Sequence, residues 1–445
     1  MRVVIVGAGE VGSHIAASLT DSHEVVVVDT DPERVEELNY TLDVLAIEGD
    51  GASLETLEEA GVADADMLVA STDDDQTNLA TCGTAKVLGD PFTIARVKQL
   101  GFLQTWEREP GAFGVDFMVC SNLLTAEDIV QVIGLPAAVD VGRFANGLVQ
   151  MAEFELPEDS PFVGQTVGEA DRFDLLTFVA ILRDGGVEIP RGESELAAGD
   201  RVVVIGPPTA VHEFAVNATA DGDVGDTESV FVVGGGEIGF QTARLLQERN
   251  ISPRLVEQDE ERARHVAEEL ADTLVLQIDA TDTEALEREN FGTADAVVAA
   301  LDNDQKNLLV SLLAKRLGVK QTIAVVETGE YRDLFEAVGV DVAVNPRVVT
   351  AEEITRFTRE ETTEKLAFVE DDRAEVLEVE IGPESALADR RIRDSIGDLP
   401  AGVVVGAIAR QRELVSPRGE TVIQIGDHVV LFVDESVAEE VSAAV

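Results

Sequence analysis

The chain of 445 residues carries 87 acidic against 33 basic side chains, a formal net charge of -54, with 45% hydrophobic residues. At this length about three domains are expected, the apolar content excludes disorder, and so acidic a surface repels a nucleic-acid backbone almost everywhere. Cys82 and Cys120 are too few for a disulfide scaffold or a zinc site, and no apolar run approaches the roughly 20 residues that cross a bilayer.

The acidic surplus pervades the whole chain, and only six of the basic residues are lysines. This is the pattern of a protein kept soluble in concentrated salt, where self-repulsion is screened, although any solvated face also collects carboxylates. A strand that opens almost at Met1 is expected to leave no signal peptide before it, and the scarcity of cysteine fits a reducing compartment.

The first predicted strand, Val3 to Val6, runs into Gly7-Ala8-Gly9-Glu10-Val11-Gly12 and then a helical run from Ser13 to Leu19. This is a G-x-G-x-x-G turn in the strand–turn–helix context that the dinucleotide fingerprint requires. Gly7 permits the tight turn, Gly9 a close approach of backbone to a pyrophosphate, and Gly12 close packing of helix on strand. Phosphates would sit at the helix N-terminus, with the backbone of Glu10 and Val11 facing them. A second strand, Val25 to Val28, ends at Asp29, placed to hydrogen-bond a ribose 2′-OH.

Further strands are expected over 44–47, 67–71, 93–97 and 117–120, alternating with helices, which reads as a parallel sheet covered on both faces. A helix from Thr125 to Ile133 leaves it and stops at Gly134 and Pro136. From Met151 the texture becomes β-rich: Asp174 to Leu182 is a strand run, Asp184-Gly185-Gly186 a hairpin turn, and Arg201 to Ile205 closes a small α+β unit. Asn217 to Asp226 is small and acidic with no apolar face, a linker.

The sentence is then repeated with a period near 227 residues. Val230 to Val233 leads into Gly234-Gly235-Gly236-Glu237-Ile238-Gly239, and the next strand ends at Glu257. Asp73 to Asn78 answers to Asp302 to Asn307, and Gly199-Asp200 to Gly426-Asp427. The expected architecture is α/β: two tandem Rossmann-like parallel-sheet domains, 1–134 and 229–358, followed by small α+β domains, 135–216 and 359–445, with a linker at 217–228.

The carboxyl ends of the strands, where ligands bind in open α/β sheets, carry Asp29, Asp50, Thr72 and Asp73, with Glu257 and Asp279 in the second half. Asp29 and Glu257 favour an unphosphorylated ribose, hence NAD(H) or an adenosine nucleotide, and Asp50 and Asp279 are placed to reach the adenine or its ribose. Arg96 is a rare cation facing the crevice and available to phosphate, but its counterpart is Val325. A dehydrogenase would need a proton-transfer group beside the nicotinamide. None of the five histidines falls at a strand end with an orienting carboxylate, His428 reads as lying in an edge-like strand, and the Arg390-Arg391-Arg393 cluster reads as a solvated loop. The residues describe a nucleotide sensor without evident chemistry; an NAD-dependent oxidoreductase on the same fold and a ligand-sensing regulator of another cation transporter or channel remain open.

With both copies of the fingerprint, Glu48-Gly49-Asp50, Ala63 to Asp66, Ile94-Ala95-Arg96-Val97 and the Ser160 to Gly164 stretch, the chain resembles the TrkA family, the two-repeat regulatory subunits of Trk-type potassium uptake systems. The resemblance implies a cytoplasmic protein, peripheral to the membrane, that binds NAD(H) or ATP/ADP. It implies assembly as a homo-tetrameric ring that gates an integral-membrane, TrkH-like potassium transporter. Val325 and Glu257 depart from the arginine and aspartate expected of the second pocket, and Gly235 is expected to make its turn looser than Ala8 makes the first.

Overall fold

β-branched runs without polar interruption form strands buried on both faces, and the chain has two such sets. A computed structural model describes residues 1–20, 23–133, 135, 138–183, 186–218, 229–358, 365–369, 374–411 and 413–445. Gly134 and Pro136, the turn at 184–185 and most of the linker expected over 217–228 lie outside the described residues.

The first sheet comprises β1 (Arg2–Val6), β2 (Glu24–Asp29), β3 (Leu45–Glu48), β4 (Met67–Ala70), β5 (Phe92–Val97) and β6 (Phe117–Cys120). All are parallel, in the order β3-β2-β1-β4-β5-β6. Side chains alternate between two cores: Val4, Val6, Val26 and Val28 face one, Val3, Ile5, Val25 and Val27 the other. The order reverses between β1 and β4, which opens a crevice at their carboxyl ends.

The first small sheet comprises β7 (Ala138–Phe144), β8 (Val149–Glu155), β9 (Thr177–Arg183), β10 (Gly186–Glu188) and β11 (Arg201–Gly206), antiparallel in the order β10-β9-β11-β8-β7. Strand β11, the last of the unit in chain order as expected, lies at the centre of the sheet, and the helix Pro208–Ala218 follows it.

The second half repeats the plan. Its parallel sheet has β12 (Val230–Val233), β13 (Arg254–Val256), β14 (Leu274–Leu276), β15 (Ala296–Ala299), β16 (Gln321–Val325) and β17 (Val342–Val344), in the order β14-β13-β12-β15-β16-β17. Its small sheet has β18 (Lys365–Val369), β19 (Ala374–Glu380), β21 (Val403–Arg410), β22 (Glu413–Val415) and β24 (His428–Asp434), ordered β18-β19-β24-β21-β22, while β20 (Arg390–Arg391) pairs with β23 (Val422–Ile423). Two readings are corrected here. His428 opens a central strand, its Nδ1 3.2 Å from the buried Glu378 carboxylate. The arginine cluster is ordered by ion pairs, Arg390 to Asp398 and both Arg391 and Arg393 to Glu420.

The repeated Gly-Asp pairs have a structural task. Asp200 takes a two-pronged contact from Arg183, both at 2.6 Å, and Asp427 the same from Arg410, both at 2.7 Å. Each aspartate is buried and tied to its own turn, Asp200 accepting from Ala197 and Asp427 from Gln424. Such bidentate, charge-assisted pairs fix orientation as well as contact.

The chain divides into two compact units that cut across the repeat: Met1–Val130 with Glu228–Phe357, and Gln131–Thr227 with Thr358–Val445. The first holds both parallel sheets. Within it the helix Pro346–Thr358 of the second half lays Ala351 and Ile354 into the core of the first sheet, and Phe357 stacks on Phe117 at 4.1 Å between ring centroids. The second unit joins the small sheets through one core, in which Phe144, Met151 and Ile205 meet Val376, Ala407 and Phe432. Among the described residues no helix is long and apolar enough to cross a membrane, and no group of three or more His, Cys, Asp or Glu is placed to hold a metal ion.

Candidate nucleotide-binding site

Each fingerprint turn is built as its sequence requires. Gly7 has φ +107° and Gly234 φ +113°, a region that only glycine enters without strain. A Cβ at Gly12 would fall 1.8 Å from the Gly7 carbonyl oxygen and one at Gly239 2.0 Å from that of Gly234, so helix and strand approach as closely as glycine allows. Gly9 and Gly236 cap the helices Glu10–Leu19 and Glu237–Glu248. The first-turn N–H groups of such helices lack intrahelical partners and carry the positive end of the dipole. A Cβ at Gly9 would meet only Arg34 Nη1, at 3.6 Å, so the turn can receive a pyrophosphate at the backbone. Val11 is buried in the core and Ile238 half-buried.

The acidic residue after the second strand clamps the turn in both halves. Asp29 accepts from Ala8 N at 2.5 Å and from Asp31 N at 2.8 Å. Glu257 accepts from Gly235 N at 2.9 Å and from Asp259 N at 2.8 Å. The two differ in reach. A Cβ at Gly235 would stand 3.1 Å from Glu257 Oε2 and 3.3 Å from its Cγ. The extra methylene of glutamate thus fills the place that the Ala8 methyl occupies, and the second turn is tightly filled, not looser. Glu257 is also only 5% exposed and lies 3.6 Å from Arg262, which stands 3.7 Å from Asp302 as well; Asp29 is half-buried and more open.

Asp50 and Asp279 lie exposed at the ends of β3 and β14, each with one carboxylate oxygen bound locally. Asp50 accepts from Ala52 N at 2.9 Å, and Asp279 from Thr281 N and Oγ1, both at 2.8 Å, which together hold the Asp279 carboxyl below the usual range. Neither touches the fingerprint turn through any hydrogen bond among the described residues.

At the switch point the stretches Asp73 to Asn78 and Asp302 to Asn307 have a structural task. Asn78 accepts from Thr72 N at 2.9 Å and Thr72 Oγ1 at 2.6 Å, and donates to the carbonyls of Thr72 and Arg96. Buried Asp75 accepts from Lys98 N and Gln99 N. Asn307 and Asp304 repeat both contacts around Leu301, Val325, Glu327 and Thr328. The Asp-x-x-Asn repeat therefore staples the loops after β4 and β5, and after β15 and β16, into crevice walls. Its twice-repeated spacing was the available signal.

Asp73 lies between two cations, 3.2 Å from Arg96 Nη1 and 3.0 Å from Lys98 Nζ. Burial alone would raise its pKa, but Lys98, Arg96 and Arg347 together hold the carboxyl below the usual range. Arg96 is 4% exposed, and its burial pushes the guanidinium pKa down. Glu10 accepts from Gly329 N at 2.9 Å and pairs with Arg347, so a loop and a helix of the second half stand at the mouth of the first crevice. Arg34, Lys98, Arg262 and Arg347 escaped the sequence reading. A lone cation is informative only once its carboxylate partners are known, and those come from distant segments.

Profiles of two known domains match the chain. The TrkA-N domain matches residues 3–120 and 230–346, and the TrkA-C domain residues 151–217 and 376–445. Trk system potassium uptake protein TrkA homolog 1 of Methanosarcina mazei is 36% identical over 449 residues, with 99% of both chains covered. The TrkA homolog of Archaeoglobus fulgidus is 38% identical over 434 residues, 97% of each. Among solved structures, the GsuK channel bound to NAD superposes with a TM-score of 0.60 at 20% identity, covering 100% of this chain and 78% of that one, a likeness of fold. Two fingerprint domains and two small domains, in the order and over the length of these relatives, place the chain in the TrkA family of Trk potassium uptake proteins.

Proposed function

We propose that the protein is the nucleotide-binding regulatory subunit of a Trk-type potassium uptake system, gating an integral-membrane transporter without catalysing a reaction of its own. NAD(H) or an adenosine nucleotide binds at the fingerprint turns, with Gly7, Gly9 and Gly12 of the first and Gly234, Gly236 and Gly239 of the second receiving phosphates, and Asp29 receiving a ribose. The observation that carries this reading is the pair of glycine turns, each clamped by a carboxylate and each opening at a switch point, joined in one compact unit. The family membership and the named potassium-uptake function of the relatives supply the transport partner.

The subunit assembles as a homo-oligomeric ring, a tetramer, on the cytoplasmic face of the membrane, held there by its TrkH-like partner. Nucleotide shifts the packing of the domains by its difference in affinity for two states, and that difference is what the transporter receives. The test is binding of NADH, NAD, ATP and ADP to wild type, Asp29→Ala and Glu257→Ala at high salt. Asp29→Ala is expected to weaken binding about tenfold, the scale of one or two lost hydrogen bonds to a charged group. A folded wild type that binds none of the four overturns the reading, as does sustained turnover of a nicotinamide substrate.

A further inference from the structure

We propose that Arg347, carried by the second Rossmann-like domain, reads the phosphate of a nucleotide in the first crevice and relays its presence to the loop 327–331. This rests on the nucleotide-binding reading above and deepens it. Glu10 directly follows the capping Gly9, so its carboxylate stands beside the helix N-terminus that would receive a phosphate. That carboxylate holds two groups of the other domain, Gly329 N at 2.9 Å and the Arg347 guanidinium. Arg347 also donates to the Glu327 carbonyl at 2.9 Å, and its charge and those of Asp73 and Arg96 act on one another.

Two buried donors border this cluster. Among the described residues Arg96 Nε and Asn345 Nδ2 have no hydrogen-bond partner, in residues 4% and 3% exposed. Asn345 caps the helix that carries Arg347, accepting from Arg347 N at 2.8 Å, and its Nδ2 lies 3.6 Å from the Cβ position of Gly329. Unpaired buried donors are costly, and an acceptor drawn to this cluster would lower that cost. A terminal phosphate presents three strong acceptor oxygens and up to two charges, against one charge on the half-exposed Glu10. When it takes Arg347 from Glu10, the tether that holds Gly329 to the first helix weakens.

The device runs one way. At the corresponding positions facing the second crevice stand Val325 for Arg96, Glu327 for Lys98 and Asn122 for Arg347, and Asn122 is spent on the Lys98 carbonyl at 2.9 Å. At these three positions the first crevice carries cations and the second none.

The test is calorimetric binding of ADP, ATP and adenosine to the full chain at high salt, in wild type, Arg347→Gln, Arg347→Lys, Glu10→Gln and Glu10→Gln/Arg347→Gln, with folding checked by thermal melts. Arg347→Gln is expected to weaken ATP about tenfold and leave adenosine unchanged, while Arg347→Lys keeps most of the affinity. Glu10→Gln should tighten ATP severalfold, and only when Arg347 is present. Amide exchange in the loop 327–331 should rise with ATP in wild type and not in Arg347→Gln. Unchanged ATP affinity in Arg347→Gln, or equal losses for ATP and adenosine, overturns the proposal. If Asp29→Ala still weakens ATP in that case, the nucleotide site stands and only the relay falls; a wild type that binds no nucleotide removes both.

Discussion

At the fingerprint turns the two crevices differ in where one methylene sits. Ala8 opposite Asp29 and Gly235 opposite Glu257 are matched pairs, in which the methyl and the longer carboxylate stem compete for one space. Gly235→Ala alone should therefore destabilise the protein by about 1 kcal/mol through overpacking. Combined with Glu257→Asp, which withdraws the stem, the loss should shrink, and a double-mutant cycle in urea measures the coupling. Additive losses would show the two residues to be independent. At this scale the fingerprint glycines were legible, because each answers a local backbone need. Glu257 and Gly235 were legible only as two separate departures; their compensation exists in space and not in the order of residues. Arg347 lay beyond reach altogether, since its partner Glu10 is more than 300 positions away.

The strands of the parallel sheets were read from uninterrupted β-branched runs, and the consecutive valines of β1 and β2 left little choice. Order within the small sheets was not legible: β7 and β8 supply an edge and a neighbour to β11, an arrangement that local pattern does not contain. Side-chain staples between elements are legible only after folding. Asp116, before β6, accepts from Thr93 N at 2.8 Å and Thr93 Oγ1 at 2.9 Å and pairs with Lys86 at 2.7 Å, and Asp341 repeats the contacts with Thr322. Burial opposes ionisation of Asp116, but the Lys86 and Thr93 contacts prevail and lower its pKa. A carboxyl whose folded pKa is depressed stabilises the fold above its unfolded value, near 4, and that contribution is lost as pH falls through the folded value. Asp116→Asn should accordingly lower the urea midpoint at pH 7, and the gap from wild type should close as the solution is taken below about pH 4. A gap independent of pH would mean that Asp116 acts by packing alone.

For the whole molecule, charge and connectivity dominate. A net charge of -54 repels itself, and added salt screens that repulsion over about 10 Å at 0.1 M and about 3 Å at 1 M. The thermal midpoint should rise steadily as potassium chloride goes from about 0.1 M into the molar range; a flat profile would show that the acidic surface is merely solvated. The repeat was plain in the sequence, yet the grouping was not: the compact units join like with like across the two halves. Ala351, Ile354 and Phe357 of the second copy complete the hydrophobic layer of the first. A half-chain alone lacks that layer, so a single copy of the repeat could cover its first sheet only against a second copy. Because both copies lie in one chain, each can differ from its twin without losing its partner, and they do differ at Ala8 and Gly235, Asp29 and Glu257, and Arg96 and Val325.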